Sequence, residues 1–539
     1  MTIHVRKIND GAGFNARLVP LLAKTLNPET PEAYKAALDS MGGFLSEVGK
    51  SLTAAPFIPE GLPEFLAKAT FSQSGSATSG LTYYDLELGA KFLYPVLTPL
   101  RNEIPRVSGK GGIQAAWRAV TGVNTTGLRI GVSGGNRGGV QAVSTSDYTA
   151  AYKGIGIETS VDFEAQYAGM GFDDVKAIGA KTGLEACMLG EEILLLGGNT
   201  SLQLGTTPTP TLSAGTAGSL SDSTVSVIVA ALSLDAVVNG SVVGGVQGSI
   251  TRTNADGSSD TFGGGTAKLS NAASQVLSGG GSNQSVAATV TAVNGACGYA
   301  WFWGAAGSEV LGAITSINSY VITAAATGTQ TAASLGTADN STNSLVFDGL
   351  LYQAFKSGSN AYIKFMPTGT AGTGTPLTAD GAGGIVEIDA LLKDRWDLYR
   401  LSPDTMWVSS QEAQNISKKI LTGTSTSAQR FVFTSAQDAL SGGMMMTTYN
   451  NKFSMAGAKT LQIRIHPNMP AGTILFTSKT LPYPVSGVGN VMQVRTRQDY
   501  YQIEWPLRAR RYEMGVYADE VLQNYFPPSM GVITNIANG

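Results

Sequence analysis

The side chains that could do chemistry are few and scattered. Glu191 and Glu192 invite a paired-carboxylate reading, but neighbours on a helix diverge by about 100° and cannot face one atom together. They read instead as solvated or inter-subunit charges. The chain holds two cysteines, Cys187 and Cys297, and two histidines, His4 and His466. Those counts exclude a disulfide framework and a paired-cysteine zinc site, and leave a histidine-dependent triad resting on one isolated residue. Each histidine therefore reads as a surface or internally satisfied group. Asp222, Asp235, Asp256 and Asp260 do not fall at calcium-loop spacing. The glycines at Gly109 to Gly112 and Gly131 to Gly139 lack the preceding strand and following helix that a phosphate cradle needs. No catalytic residue, cofactor or metal is expected.

What remains is recognition chemistry. Tyr299, Trp301 and Trp303 alternate onto one strand face, as a core ladder or as a sugar-stacking platform. Lys110, Arg129 and Arg137 sit in a glycine-rich region and can supply contacts to another subunit. Arg508, Arg510 and Arg511 can pair across a subunit boundary or within one chain, or touch nucleic acid.

The elements that must carry these residues sort into blocks. Asn27 to Phe71 is helix-like, with Ala37, Leu38, Met41, Phe44, Leu45 and Val48 at helical spacing and a second short helix at Pro63 to Ala69. Ile113 to Val120 and Tyr148 to Val161 read as the arms of a long hairpin with a glycine-rich tip. Asp173 and Asp174 open a helix that runs to Gly197 and Gly198, with Val175, Ile178, Leu184, Cys187, Met188, Leu194 and Leu195 as its apolar stripe. From Thr200 to Thr342 the basic residues are Arg252 and Lys268 alone, and the acidic ones are Asp222, Asp235, Asp256, Asp260, Glu309 and Asp339. Strand-like runs at 224–234, 249–253, 284–293, 299–303 and 314–323 make this block an immunoglobulin-like β-sandwich, with linker-like flanks at Leu204 to Pro208 and Thr337 to Thr342. Beyond it, strands at 384–388, 405–408, 461–465 and 473–476 and helices at 389–396 and 410–421 restart a mixed pattern. The fold class is α+β.

Composition bounds the class. The chain has 539 residues, of which 67 are glycine and 14% charged, against about 7% glycine and 25% charge in ordinary soluble proteins. A net charge of −3 gives no general attraction to nucleic acid or anionic lipid. No long apolar run and no secretory signal appear, so a soluble protein made in a cytoplasm, without membrane contact, is expected.

Three features in fixed order carry a resemblance: the glycine-rich hairpin leading into the helix that ends Glu191 to Asn199; Leu401 to Val408 introducing a strand and helix; and Trp505 to Glu513 running on to Asp519 through Tyr525. This order resembles the major capsid proteins of tailed bacteriophages with the Hong Kong 97 type of fold. The resemblance implies an N-terminal arm (1–75), entry to a peripheral domain (76–105), an extended loop (106–160), the peripheral domain with its spine helix (161–207), the inserted immunoglobulin-like domain (208–342), an axial domain (343–500) and a C-terminal return (501–539). It implies a non-enzymatic protein that assembles with itself as hexamers and pentamers into an icosahedral head. Portal, decoration and scaffolding proteins are the implied partners, and packaged double-stranded DNA is touched only non-specifically. The implied location is the virion, after assembly in the host bacterial cytoplasm. No N-terminal scaffolding segment is expected to be removed, and the insertion is expected to be an outward, dispensable module. Lys110 and Lys153 lie where some members cross-link, but no partner pattern accompanies them. A phage adhesin or tail-associated carbohydrate-binding protein is the alternative, resting on Trp301 and Trp303; a glycoside hydrolase lacks a carboxylate pair in an aromatic cleft.

Overall fold

Asp162 and Asp174 mark the two points where a strand-rich opening gives way to helix. The computed structural model describes residues 70–71, 91–123, 131–170, 173–422, 445–455 and 459–539, all within the unit Lys68–Gly539. The expected helices of the arm and Arg129 lie outside the described residues. Thr70 and Phe71, expected as the end of that helical stretch, form a short strand.

The first elements are β1 (Thr70–Phe71), α1 (Pro99–Glu103), β2 (Arg106–Ser108), β3 (Gln114–Val123), β4 (Val143–Ala151), β5 (Lys153–Asp162), α2 (Phe163–Ala168) and α3 (Val175–Gly197). The side chain of Asp174 caps α3 by accepting from Lys176 N and Ala177 N, satisfying two of the donors a helix start leaves free. The second expected hairpin arm is in fact two strands. β4 pairs with β3, while β5 turns away after Tyr152 to join a different sheet.

The inserted block runs β6 (Thr211–Leu220), β7 (Ser223–Leu232), α4 (Leu234–Asn239), β8 (Ser249–Thr253), β9 (Ser259–Gly263), β10 (Ala273–Leu277), β11 (Gln284–Thr289), β12 (Gly298–Gly304), β13 (Val310–Thr315) and β14 (Ser319–Ile322). Its sheets have the orders β10-β7-β12-β13 and β14-β11-β6, with β8-β9 a separate hairpin. Val227, Val229, Trp301 and Trp303 of one sheet share a core with Val286, Ala288 and Ile322 of the other, which makes the block a two-layer sandwich. The strand expected across 314–323 is broken into the end of β13 and the whole of β14.

The last stretch runs α5 (Leu350–Phe355), β15 (Tyr362–Phe365), α6 (Val386–Tyr399), β16 (Thr405–Val408), α7 (Ser410–Thr422), β17 (Thr448–Asn451), β18 (Lys459–Ile465), β19 (Ile474–Thr477), β20 (Met492–Glu504), β21 (Arg511–Asn524) and β22 (Gly531–Thr534). A six-stranded sheet of order β15-β22-β19-β16-β18-β17 is formed here. Ile388, Leu391 and Leu392 of α6 and Ile416 of α7 pack with Met406, Val408, Phe476 and Ile533 of this sheet. The strand expected at 384–388 is the first turn of α6 instead, because Glu387, Ile388, Leu391 and Leu392 bury at helical rather than alternating spacing.

β20 runs through residue 500 and belongs to the sheet β1-β5-β21-β20-β2, so the expected boundary there falls inside one strand. The helix α3 lies against β5 and β21 of this sheet. Its buried face uses Gly179, Gly183, Ala186, Cys187, Leu189, Leu195 and Leu196, whereas Leu184 is exposed. Small residues there let helix and sheet approach closely.

The insertion's flanks are not linkers. Thr207 and Ser341 are buried, Asn199 Nδ2 donates to Ser341 O at 2.9 Å, and Leu204 N donates to Ser341 Oγ at 2.9 Å. Leu234 and Cys297 of the insertion share a core with Leu195, Leu196 and Tyr352, and Leu234 N donates to Tyr352 Oη at 2.9 Å. A Cβ at Gly197 would lie 2.2 Å from Leu234 Cδ2, so the close approach requires glycine there. On the far side, Asn318 N donates to Asn535 Oδ1 at 2.8 Å and Asn535 Nδ2 to Asn318 Oδ1 at 3.0 Å. The block is welded to the rest at both ends.

Candidate assembly surface

Glu191 and Glu192 are fully buried, which overturns their assignment as solvated or inter-subunit charges. Glu191 accepts from Arg101 Nε at 2.7 Å and also from Arg106 and the Tyr500 hydroxyl. Arg106 in turn donates through Nη2 to Glu520 Oε2 and Asp499 Oδ1, both at 2.7 Å. Burial, with the Glu191 charge beside it, pushes the Glu520 carboxyl well above its ordinary value. Glu192 accepts from Leu100 N and Arg101 N, each at 2.8 Å, and pairs with His466 Nε2 at 2.7 Å. Since His466 Nδ1 accepts from Asn468 N at 3.1 Å, Nε2 is the donor to Glu192. His466 is thus an internally satisfied group. The two glutamates diverge as adjacent helical residues must, and Arg101 serves both, its side chain donating to Glu191 and its backbone N–H to Glu192. The cluster ties α1, β2, α3, β20 and β21 together.

Tyr299, Trp301 and Trp303 are also buried, so the sugar-platform reading fails. The face they share is the sandwich core. Trp301 Nε1 donates to Thr315 Oγ1 at 2.8 Å and Trp303 Nε1 to Ala324 O at 2.9 Å, leaving no polar edge for a ligand. Cys187 is buried, and desolvation pushes its thiol up to about 12, as expected of a core residue.

The surface that is free lies on the β3–β4 hairpin. Its base is anchored: Ala115 is buried, and Trp117 packs against Tyr148 at 5.8 Å and Tyr525 at 5.6 Å between ring centroids. Beyond that base every described residue from Gly131 to Thr145 is exposed. Val132, Val140 and Val143 project there, as does Val120 opposite them, with Val140 90% exposed. Arg137 is exposed on this arm, whereas Lys110, also exposed, lies before its base in the link between β2 and β3. A second apolar stretch, Phe92, Leu93, Val96 and Leu97, is open beside α3, with Leu93 92% exposed.

The turn between β20 and β21 places the three arginines. Arg510 Nη2 pairs with Glu164 at 2.9 Å and Arg511 Nε with Glu513 at 3.0 Å, all within the chain. Arg508 lines a cleft of about 660 Å³ between the β8–β9 hairpin and the outer end of β5, β20 and β21. Sequence reasoning missed the residues that build this cleft. Tyr517 lies flat across the sheet, since a Cβ at Gly156 would sit 2.2 Å and one at Gly515 2.4 Å from its ring. It stacks on Tyr501 at 5.9 Å, and its hydroxyl donates to Glu158. Trp505 Nε1 donates to the same carboxylate at 3.0 Å. Lone glycines inside otherwise β-forming runs were the available signal of such a close approach.

Among the described residues no group of three or more His, Cys, Asp or Glu side chains is placed to hold a metal, and no helix is long and apolar enough to cross a membrane.

No family model matches the sequence, and no curated protein does. Solved structures similar to this chain include the capsid of Myoviridae phage XM1, at 9% identity and a TM-score of 0.35, covering 84% of this chain and 95% of that one. The capsid of a native GTA particle gives 9% identity and a TM-score of 0.38, with 86% and 98% covered. Mycobacterium phage Bobi gives 8% and 0.36, with 83% and 95% covered.

Proposed function

We propose that this chain is a major capsid protein of a tailed bacteriophage, a structural rather than catalytic protein that forms hexamers and pentamers and closes into the icosahedral head around the genome. In this reading β3–β4 is the extended loop and α3 the spine helix. The sheet of β5, β20 and β21 is the peripheral domain, the six-stranded sheet is the axial domain, and the sandwich is an immunoglobulin-like insertion.

The observation that carries the reading is the β3–β4 hairpin. A two-stranded ribbon has no stable existence of its own in water, yet this one holds its distal half away from its own core with its valines exposed. Such a surface is stable in use only when another molecule covers it. A second copy is the partner that a self-assembling shell supplies. Portal, scaffolding and decoration proteins would meet the same lattice, and DNA would be touched only non-specifically. The carbohydrate-binding alternative loses its residues, since Trp301 and Trp303 are inside the sandwich.

Size-exclusion chromatography with light scattering, run across concentration and salt, tests the proposal. Capsomer-sized or larger assemblies are expected; a folded chain that stays monomeric at every concentration contradicts it.

A further inference from the structure

Two halves of an ion pair are left open on different surfaces of the chain. One is the Glu158 carboxylate. It receives only neutral donors, Trp505 Nε1 and the Tyr517 hydroxyl, and forms no ion pair among the described residues, although Arg508 lines the same cleft. The other acids of the cleft are occupied: Asp260 by Arg252 at 3.0 Å, Glu513 by Arg511, and Asp256 by its Ser258 hydrogen bonds with the charge of Arg508 behind them. Tyr517, stacked on Tyr501, and Trp505 line the cleft with aromatic faces, and Leu507, exposed, follows Trp505 in the chain. A carboxylate set against aromatic faces is the environment that a guanidinium fills, through a charge-assisted hydrogen bond and cation–π contact.

The second half is Arg137. It stands at the tip of the exposed hairpin and makes no ion pair among the described residues. Val132 and Val140 flank it, exposed and apolar, and match the exposed apolar face of Trp505 at the cleft. The cleft's volume of about 660 Å³ accommodates a side chain and the turn that bears it.

We propose that Arg137 of one copy enters the cleft of a second copy and pairs there with Glu158. The insertion's β8–β9 hairpin, which forms one wall, is then part of the subunit contact rather than a decoration. This rests on the assembly proposed above.

The chain's own chemistry provides a clean test, because Cys187 and Cys297 are both buried. Arg137→Cys and Asp256→Cys place one thiol at the hairpin tip and one on the cleft wall, both at exposed positions. Assembled particles of the double variant, treated with a short bis-maleimide, should give a ladder of covalent multimers, and either single variant should stay monomeric on a denaturing gel. Arg137→Glu should lose assembly while its subunit melts at the wild-type temperature. Particles that assemble but give no ladder, a cross-link confined within one chain, or normal assembly of Arg137→Glu would each overturn the inference while leaving the capsid reading standing. If wild-type chains never assemble, both fall together.

Discussion

Glu192 shows what a single buried side chain does in this molecule. It accepts two backbone N–H groups of α1 and the His466 ring, so Glu192→Ala leaves three donors unmet in a dry site. The expected loss is about 3–5 kcal/mol, read as a lower melting temperature or urea midpoint of the subunit, with Glu192→Gln intermediate. Glu412 gives the complementary prediction. Its side chain is buried, Oε2 has no partner, and desolvation, opposed by hydrogen bonds from Gln411, Asn415 and Gly472, raises its carboxyl to about 7. The folded state therefore holds a proton that the unfolded state has released between the ordinary glutamate value and about 7, so stability falls as pH rises through that window. Glu412→Gln should flatten the dependence and gain on the order of 2–3 kcal/mol at pH 8, checked by denaturant titrations from pH 4.5 to 8. An unchanged slope in the variant contradicts the assignment. None of this was legible in the sequence. Glu191 meets Arg101 across 90 positions and Tyr500 across 309, and no local pattern reports a partner so distant.

Local periodicity, caps and turn residues located several elements, including a strand buried on both faces at 405–408 and an exposed one at 249–253. The span of α3, the strands at 249–253 and 405–408 and the helix at 410–421 follow from caps and spacing. β6, rich in Ser, Gly and Ala, gives no alternation to read and was missed. Tertiary contact also decided the insertion's status, since flanks that read as linkers are buried by hydrogen bonds to each other. Replacing 208–342 with a short linker should therefore yield insoluble or unfolded chain rather than a trimmed subunit, because Leu195, Leu196 and Tyr352 lose Leu234 and Cys297. Solubility and far-UV circular dichroism check this; a soluble, cooperatively melting deletion would show the insertion to be dispensable. Gly197→Ala acts at the same seam. Its Cβ would displace Leu234, and a cost of about 1–3 kcal/mol is expected, measured as a shift in the urea midpoint.

At the scale of the whole molecule, four hydrophobic cores among the described residues stand beside a hairpin whose distal part joins none of them. Val120, Val140 and Val143 contribute nothing to the subunit's own interior, so changing Val140 to Asp should alter subunit stability by no more than about 0.5 kcal/mol while abolishing large assemblies in light scattering. Loss of stability together with assembly would place that surface inside the subunit fold instead. Electron microscopy of the purified 539-residue chain, concentrated under conditions where circular dichroism shows it folded, tests whether it forms a shell. Closed shells built of hexameric and pentameric capsomers are expected, with the hairpin of each subunit lying on its neighbour. Folded single subunits at every concentration, or particles in which the β3–β4 hairpins touch no neighbouring copy, would contradict that expectation.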